Sequence, residues 1–401
     1  MIRFQANLSR RPTRRLAAAG WAVLCGLCLS VSAAGTAAAQ GAAPAFDQIE
    51  ADIGPGAGGN AQLLVWSEDR GAGARIHAKR VWNNGIPVGG ATAGDYELTA
   101  ATGEGAFAGQ KGIQRWPTLF TAGSDRRAQQ LVVWSEQAPG AADFDIYAQR
   151  LAGNGRALGP ARAIVTGPGD QVQPDVITIP NGYLVVYSED TADAGDIMAQ
   201  RITTALTPRD APYAIAQGPG VATEPELGFA YSNVGAGEAL LVIFTYVPDG
   251  ATSSDIYAVR ASSIGVPRGG AANIFPLIES PDVDESTPHL AAGAFDSGSR
   301  ARDRLRDSFV GLLLYTRDDP ADAAGADVYG VRFQTVGFTT GQPVAIAAGP
   351  GSQAAPTSTH LDDRNWIVVW QEDGGGNFDV RSLRVRSNGV PHRTARALVA
   401  D

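Results

Sequence analysis

Residues 131–151 read LVVWSEQAPGAADFDIYAQRL, and five other stretches of the chain repeat this pattern. The other stretches are LLVWSEDRGAGARIHAKRV at 63–81, LVVYSEDTADAGDIMAQRI at 184–202, LVIFTYVPDGATSSDIYAVR at 241–260, LLLYTRDDPADAAGADVYGVRF at 312–333 and IVVWQEDGGGNFDVRSLRV at 367–385. Their anchoring aromatic residues are Trp66, Trp134, Tyr187, Phe244, Tyr315 and Trp370, spaced 53 to 71 residues apart. A period of this length predicts a repeat architecture.

Each repeat predicts four short antiparallel strands, labelled A to D in chain order. In the second repeat, Leu131–Trp134 is an apolar, β-branched run typical of a strand buried on both faces, and we assign it to strand B. Asp145–Leu151 follows a polar loop as strand C, and Asn154-Gly155 is a turn signal leading to strand D. The prolines that we expect to open strand A, because proline lacks a ladder donor, are Pro117, Pro174, Pro225, Pro288 and Pro356.

Six repeats of four strands predict an all-β fold, a β-propeller with six blades. Either of two segments could supply the strand that closes the ring. Residues 46–53 precede a Gly-Pro-Gly like the ones that follow strand D in later repeats, so they are predicted as a strand D, which leaves blade 1 short of a strand A. The segment Arg393–Val399 is also predicted as a strand D.

The repeated units resemble the LVVW…DIYAQRL repeats of exported bacterial proteins of the propeller type. The resemblance covers nearly the whole chain after its first 39 residues and implies the fold, but it brings no catalytic motif. A likeness to the propeller of TolB-like proteins extends to the fold class only.

The first 39 residues are predicted to be a secretory leader. Five arginines precede an apolar run from Leu16 to Val31, and Ala37-Ala38-Ala39 supplies a cleavage site. Ser9-Arg10-Arg11 leaves a twin-arginine route open beside the general one. We therefore expect residues 40–401 to form a single exported propeller domain, periplasmic or extracellular, without stable membrane insertion.

The net charge and the cysteine content argue against several kinds of partner and site. The net charge of −9 includes the five leader arginines, so residues 40–401 carry −14. This acidity argues against a nucleic-acid partner, which would need a basic footprint. Both cysteines, Cys25 and Cys28, lie in the leader, so the predicted domain has no disulfide, thiolate metal site or cysteine nucleophile.

Residues that recur in most or all blades are interpreted as scaffold, because a single site breaks the symmetry of a ring. This interpretation covers three series. They are the aromatic residues of strand B, the glutamates two positions later (Glu68, Glu136, Glu189, Glu372) and the aspartates that open strand C (Asp145, Asp196, Asp255, Asp327, Asp379). A ring of carboxylates at a channel mouth and a row of sugar-binding aromatic platforms are the functional alternatives.

Loops on a rigid scaffold carry binding sites, and alternation along a blade predicts which loops share a face. The B–C loops and D–A connectors form one face, predicted to be acidic, and the A–B and C–D loops form a mixed-to-basic face. The candidate ligand-binding residues on the two faces are Asp143, Asp190, Asp193, Asp318, Asp319, Asp322, Arg300, Arg302, Arg304 and Arg306. The arginines belong to a long charged insertion at Asp296–Asp307, whose other interpretation is a solvated loop.

No cofactor is predicted apart from calcium, for which the oxygens of Asp282, Asp284 and Glu285 are the candidate ligands. The four histidines lack zinc-site spacing, and no nucleophile elbow, P-loop or dinucleotide-binding motif is present. The sequence therefore favours a non-catalytic propeller that binds a protein or glycan at the cell envelope. A carbohydrate-active enzyme with paired carboxylates on the acidic face is the alternative, and a calcium-stabilised surface protein is a weaker one.

Overall fold

The structure is a computed structural model. It describes residues 48–55, 61–69, 73–83, 86, 88, 96–98, 112–122, 129–152, 155–191, 194–231, 238–291, 310–322, 325–334, 338–362, 365–373, 378–386, 389–392 and 395–399. The predicted leader lies outside these ranges. Within them, no helix has the length and apolar character needed to cross a membrane.

The described residues form six four-stranded antiparallel sheets, each made of consecutive strands, which confirms the predicted six-bladed propeller. Blade 1 contains β1 (Gln48–Pro55), β2 (Ala61–Asp69), β3 (Ala74–Trp82) and β4 (Tyr96–Glu97); blade 2 contains β5 (Ile113–Ala122), β6 (Gln129–Gln137), β7 (Asp145–Leu151) and β8 (Ala157–Val165). Blade 3 contains β9 (Asp170–Ile179), β10 (Gly182–Thr191), β11 (Ala194–Thr203) and β12 (Tyr213–Ala216); blade 4 contains β13 (Val221–Tyr231), β14 (Glu238–Val247), β15 (Asp255–Ser262) and β16 (Phe275–Ile278). Blade 5 contains β17 (Asp284–Ala291), β18 (Val310–Asp318), β19 (Asp327–Gln334) and β20 (Phe338–Ala347); blade 6 contains β21 (Gln353–Asp362), β22 (Asn365–Asp373), β23 (Phe378–Arg386) and β24 (Arg396–Val399).

The first strand of each blade packs against the first strands of both neighbouring blades, so these six inner strands surround a central channel. The ring closes where β1 contacts β21, without any strand passing into another blade's sheet. The prediction for residues 46–53 was therefore wrong: β1 is the inner strand of blade 1, not a strand D. The prediction for the C-terminal segment was correct in type, because β24 is the outer strand of blade 6.

The second strand of each blade is buried on both faces, as its continuous apolar run predicts. Trp66, Trp134, Tyr187, Phe244 and Tyr315 have no exposed surface, and Trp370 is 1% exposed. Apolar clusters join neighbouring blades; one of them combines Leu63 and Val65 of blade 1 with Val132 of blade 2. The strand B aromatic residues therefore act as packing groups, which confirms the scaffold interpretation.

The repeated acidic residues also serve the scaffold. The indole N–H groups of Trp66 and Trp134 each donate to the glutamate two positions later, Glu68 and Glu136, at 2.9 Å. At the start of strand C, the aspartates accept hydrogen bonds from the connector that follows strand D. Asp145, for example, accepts the backbone N–H of Gly167 at 3.3 Å. Both series satisfy buried or connector donors instead of forming a ligand site.

The predicted sharing of faces is confirmed where B–C loops meet connectors. The backbone N–H of Gln171, after the connector of blade 2, donates to Phe144 O in the B–C loop of that blade at 2.9 Å. The corresponding bond in blade 5 joins Gln353 N to Ala326 O at 2.7 Å. Most arginines predicted for the opposite face, including all four in the blade 5 insertion, lie outside the described residues, so its charge stays a prediction.

Candidate functional site

Each inner strand contains a β-bulge at the same place. In β5 the pairing with the next strand skips the two residues between Arg115 and Thr118, and β1, β9, β13, β17 and β21 show the same shift. The first skipped residue, called the bulge residue below, has a positive φ in every blade: Glu50 (57°), Trp116 (50°), Gln173 (53°), Glu224 (55°), Thr287 (46°) and Ala355 (50°). None is glycine, although this conformation is uncommon for residues with a side chain.

The repeated prolines belong to these bulges. Pro117, Pro174, Pro225, Pro288 and Pro356 each follow a bulge residue, four or five positions into the strand. The prediction that they open strand A was therefore wrong. The physical reason for their placement is nevertheless the same, because a bulge is another position of a strand at which no ladder N–H is required.

Side chains of the preceding blade bind the backbone N–H groups that the bulges remove from the ladder. Trp116 N donates to Glu50 Oε2 at 2.8 Å, and Thr287 N donates to Glu224 Oε2 at 2.7 Å. Glu50 N, at the point of ring closure, donates to Gln371 Oε1 of blade 6 at 3.2 Å. The bulges therefore exchange bonds within a blade for bonds between blades.

Two positions after each bulge residue lies a polar side chain, and these six side chains form a belt along the inner strands. The belt residues are Asp52, Thr118, Asp175, Glu226, His289 and Thr357, one from each blade. The hydroxyl group of Thr118 contacts Asp175 Oδ1 at 2.9 Å and Asp52 Oδ2 at 3.4 Å, while Thr357 Oγ1 donates to Asp52 Oδ1 at 2.6 Å. Side chains of blades 6, 1, 2 and 3 are thus linked in order around the inner strands.

His289 and Glu226 form the other half of the belt. The Nδ1 atom of His289 lies 2.9 Å from Glu226 Oε1, and its Nε2 atom accepts the backbone N–H of Ser358 at 3.0 Å. These partners assign the proton of a neutral ring to Nδ1. The side chains of His289 and Glu226 are 15% and 20% exposed, so both are accessible from the channel.

The belt also follows an alternating pattern along the ring. Side chains of blades 1, 3 and 5 accept backbone N–H groups of the next blade: Asp52 Oδ2 accepts from Leu119 and Asp175 Oδ2 accepts from Leu227, both at 2.7 Å. His289 accepts from Ser358 in the same way. The belt thus combines structural bonds between blades with a cluster of ionisable groups.

Burial and mutual repulsion alter the acidity of the belt. Burial, followed by the charges of Glu226 and Asp52, raises the pKa of Asp175 well above that of an ordinary aspartate, although the N–H of Leu227 opposes this shift. Burial lowers the pKa of His289, but Glu226, Asp52 and Asp175 raise it by more, to about 8. The bond from Ser358 N to Nε2 therefore describes the neutral ring, which prevails above that pH. Asp175 is therefore a carboxyl group that keeps its proton at unusually high pH, beside acidic neighbours.

The candidate residues predicted in the loops do not converge on one site. In blade 5, Asp319 lies 3.6 Å from Arg317 and its carbonyl accepts the N–H of Asp322, within an ordinary turn that includes the exposed Asp318. Asp143 is half-buried in the B–C loop of blade 2. Asp193, Arg300, Arg302, Arg304 and Arg306 lie outside the described residues, as does the side chain of Asp190 at the end of β10.

The structure does not bring the predicted calcium ligands together. Asp284 is exposed and its Oδ1 accepts the N–H of Ser254 at 2.8 Å, whereas Glu285 is fully buried on the opposite face of the strand. Asp282 is exposed in the connector with a φ of 60°. In the part of the chain that the structure describes, no group of three or more potential ligands could hold a metal ion.

Sequence analysis did not single out the belt residues, although a local signal was present. In five of the six blades the belt residue directly follows the repeated proline, in the pairs Pro117-Thr118, Pro174-Asp175, Pro225-Glu226, Pro288-His289 and Pro356-Thr357. A polar residue after a repeated proline would have identified the ring. Its six members are of four residue types, Asp, Thr, Glu and His, as expected for a site that breaks the symmetry of the repeat.

No protein-family model matches this chain, and no curated protein matches it. Among solved structures, a protein of unknown function from Dyadobacter fermentans is similar with a TM-score of 0.56 and 11% identity, over 84% of this chain and 93% of that one. The GH93 α-L-arabinofuranosidase of Fusarium graminearum, solved with arabinobiose, has a TM-score of 0.52 and 12% identity, over 85% of this chain and 93% of its own. At these identities the similarity concerns the propeller fold.

Proposed function

We propose that the protein cleaves glycosidic bonds in its central channel, outside the cytoplasm. The observation that carries this proposal is the belt, in which carboxyl groups in different environments lie on neighbouring inner strands. Burial and acidic neighbours raise the pKa of Asp175 well above its ordinary value, while Glu226 is partly exposed and paired with His289. Glycoside cleavage requires such a pair, one carboxylic acid and one carboxylate, roughly 5–10 Å apart across the substrate.

The two carboxyl groups would have separate roles. Asp175 would donate a proton to the oxygen of the leaving group, and Glu226 would act as the base or nucleophile on the other side of the sugar. Asp52 accepts four hydrogen bonds, from Ile53 N, Leu119 N and the hydroxyl groups of Thr118 and Thr357. It is thus a positioning residue, acting on Asp175 through the shared hydroxyl of Thr118.

The order of the two main sequence-based hypotheses is thereby reversed. The sequence analysis expected paired carboxylates on the acidic face of the disc, whereas the pair proposed here belongs to the inner strands, two positions after the bulges. The fold similarity to an arabinofuranosidase selects the first substrates to test, arabinan and arabinobiose, and adds no residue to the argument.

The test uses residues 40–401 incubated with arabinan, arabinobiose and xylan, with new reducing ends measured over time. We expect cleavage by the unmodified protein and a loss of at least about 100-fold in rate for both Asp175→Asn and Glu226→Gln. Glu279→Gln, which changes an exposed carboxylate far from the channel, is the matched control and should retain full activity. Equal rates in all four proteins would show that cleavage does not depend on Asp175 or Glu226. A lack of cleavage by every protein would reject the proposal for these glycans.

A second candidate function, glycan binding without cleavage, is favoured by one observation. Both oxygens of Asp52 and the Nε2 atom of His289 are already occupied by donors from neighbouring strands, which is what a purely structural belt would require. Retention of the protein on insoluble arabinan or xylan, without new reducing ends, would support this candidate.

A further inference from the structure

Trp116 is the one bulge residue that carries an aromatic ring. Like the other five it has a positive φ, at 50°, and it precedes a proline. A bulky side chain in this conformation is an outlier that the surrounding structure must maintain, and such outliers cluster at functional sites. The backbone role of the bulge does not require tryptophan, because Ala355 fulfils it in blade 6 with a φ of 50°.

The other bulge residues have evident structural uses for their side chains. Glu50, Gln173 and Glu224 each accept the backbone N–H of the bulge residue in the next blade. Thr287 Oγ1 lies 2.5 Å from Thr316 Oγ1 within blade 5. The ring of Trp116 instead contacts an aromatic residue and a guanidinium group.

Rigid partners hold this ring in place. Phe144 meets it edge-to-face with centroids 5.7 Å apart, and the Arg115 guanidinium lies 5.1 Å from its centroid. Phe144 is itself fixed, since its N–H donates to Asp170 Oδ1 at 2.8 Å. Arg115 Nε donates to both carboxylate oxygens of Glu50, at 2.8 and 3.0 Å. Trp116 is half-buried, so part of this preorganised ring remains open to solvent.

The position of Trp116 relates it to the belt. It lies two residues before Thr118, whose hydroxyl joins Asp52 and Asp175, and two residues of a strand span about 7 Å. Phe144 belongs to the B–C loop of blade 2, and Trp116 precedes Thr118 along β5, so it lies between that face of the disc and the belt. An aromatic ring beside a fixed ion pair offers an apolar surface and hydrogen-bonding groups together, the combination that suits a sugar ring.

We propose that Trp116, with the Arg115–Glu50 pair, forms a sugar-binding subsite above the belt, and that neutral oligosaccharides enter the channel from the face of the B–C loops. The ring of Trp116 stacks on one sugar, and the next sugar along the chain reaches the carboxyl groups. The relation to cleavage rests on the proposed function, whereas the binding of sugar by Trp116 does not.

The test compares two variants that relax the same backbone conformation. Trp116→Gly and Ala355→Gly each place glycine at a bulge with a φ of 50°, but only the first removes a side chain of the subsite. Both are made in protein carrying Glu226→Gln, so that no bond is cleaved during the measurement. Dissociation constants are measured by calorimetry for arabinotriose, xylotriose and cellotriose, and thermal unfolding confirms that each variant is folded.

We expect Trp116→Gly to weaken binding of at least one trisaccharide by about tenfold or more, and Ala355→Gly to leave it unchanged. Equal dissociation constants for the two variants would overturn the subsite, and so would a lack of binding to all three sugars by the parent protein. If Trp116→Gly weakens binding but the unmodified protein cleaves no glycan, the proposed catalytic function fails and the subsite stands.

Discussion

Glu285 occupies a position that is glutamine in four other blades. Gln48, Gln114, Gln171 and Gln353 lie two residues before their bulge residues, as Glu285 does. The amide groups of Gln171 and Gln353 donate to connector carbonyls at 2.8 and 2.9 Å. A protonated glutamate has the same shape as glutamine and can donate a hydrogen bond, whereas an ionised one cannot. We therefore expect Glu285 to fit its site as the neutral acid.

The size of the expected effect on stability follows from the pKa of Glu285. Burial, with a further contribution from Asp255, raises the pKa of Glu285 from 4.5 to about 7, against the lowering effects of Ser280 and Arg317. A shift of about 2.5 pKa units corresponds to about 3 kcal/mol. The folded state holds the proton more tightly, so the free energy of unfolding falls as pH rises from about 4.5 to about 7 and then levels off.

Glu285→Gln removes this titration while keeping the neutral shape. Relative to the unmodified protein, the variant should have almost the same stability near pH 4.5 and be more stable by about 3 kcal/mol above pH 8. Urea unfolding followed by tryptophan fluorescence across this range measures the difference, and contributions from the belt cancel in it. Glu279→Gln, an exposed carboxylate of the same segment, should change stability by less than about 0.5 kcal/mol at every pH.

The pH dependence of the stability difference between the variant and the unmodified protein tests this reasoning. A stability difference between Glu285→Gln and the unmodified protein that stays constant from pH 4.5 to pH 9 would refute the reasoning, whatever its size. It would show that the buried carboxylate ionises without cost, with its charge balanced in the folded state by Arg317.

Three further predictions concern the belt and the blade core. Glycan cleavage should decline as pH rises through the raised pKa of Asp175, because the acid form donates the proton, and initial rates across the pH range test this. Protonation of His289 should contribute about 2 kcal/mol of stability below pH 6.5, and this contribution should be lost as pH rises through about 8. In urea unfolding, His289→Gln should lack this pH-dependent contribution, and an unchanged pH dependence in the variant would contradict the prediction. Glu136→Ala should cost about 3 kcal/mol in the same assay, because the buried N–H groups of Trp134 and Gln114 lose their acceptor, while Glu136→Gln should cost much less.

The blade count and the two central strands of each blade follow from local sequence. The apolar run at Leu131–Trp134 and the segment Asp145–Leu151 form strands within single hairpins, where the pattern of burial is local. Strand β1 was assigned wrongly because blade 1 has Ala51 where the other inner strands have proline, and because its Gly-Pro-Gly imitates a connector. A left-handed backbone conformation such as that of Trp116 cannot be read from the sequence when the residue is not glycine.

Sequence analysis missed the belt for a different reason. Asp52 and Thr357 are separated by almost the whole chain, and they meet only because the ring closes. Each belt residue on its own is an ordinary polar residue in a strand, while loops rich in aspartate, such as Asp318–Asp322, carry a stronger compositional signal. The composition of the loops showed where charged residues are frequent. Only the topology determines which ionisable residues are buried together and so acquire shifted pKa values.

The alternation of the belt has a consequence for how such a ring can grow. The belt side chains that accept a neighbour's backbone N–H belong to blades 1, 3 and 5, and the donors Leu119, Leu227 and Ser358 belong to blades 2, 4 and 6. The repeating unit of the belt is therefore a pair of blades, although the unit of sequence is a single blade. Gene duplication or protein engineering that adds or removes blades in pairs keeps every acceptor beside a donor, whereas a change by one blade leaves two like partners adjacent.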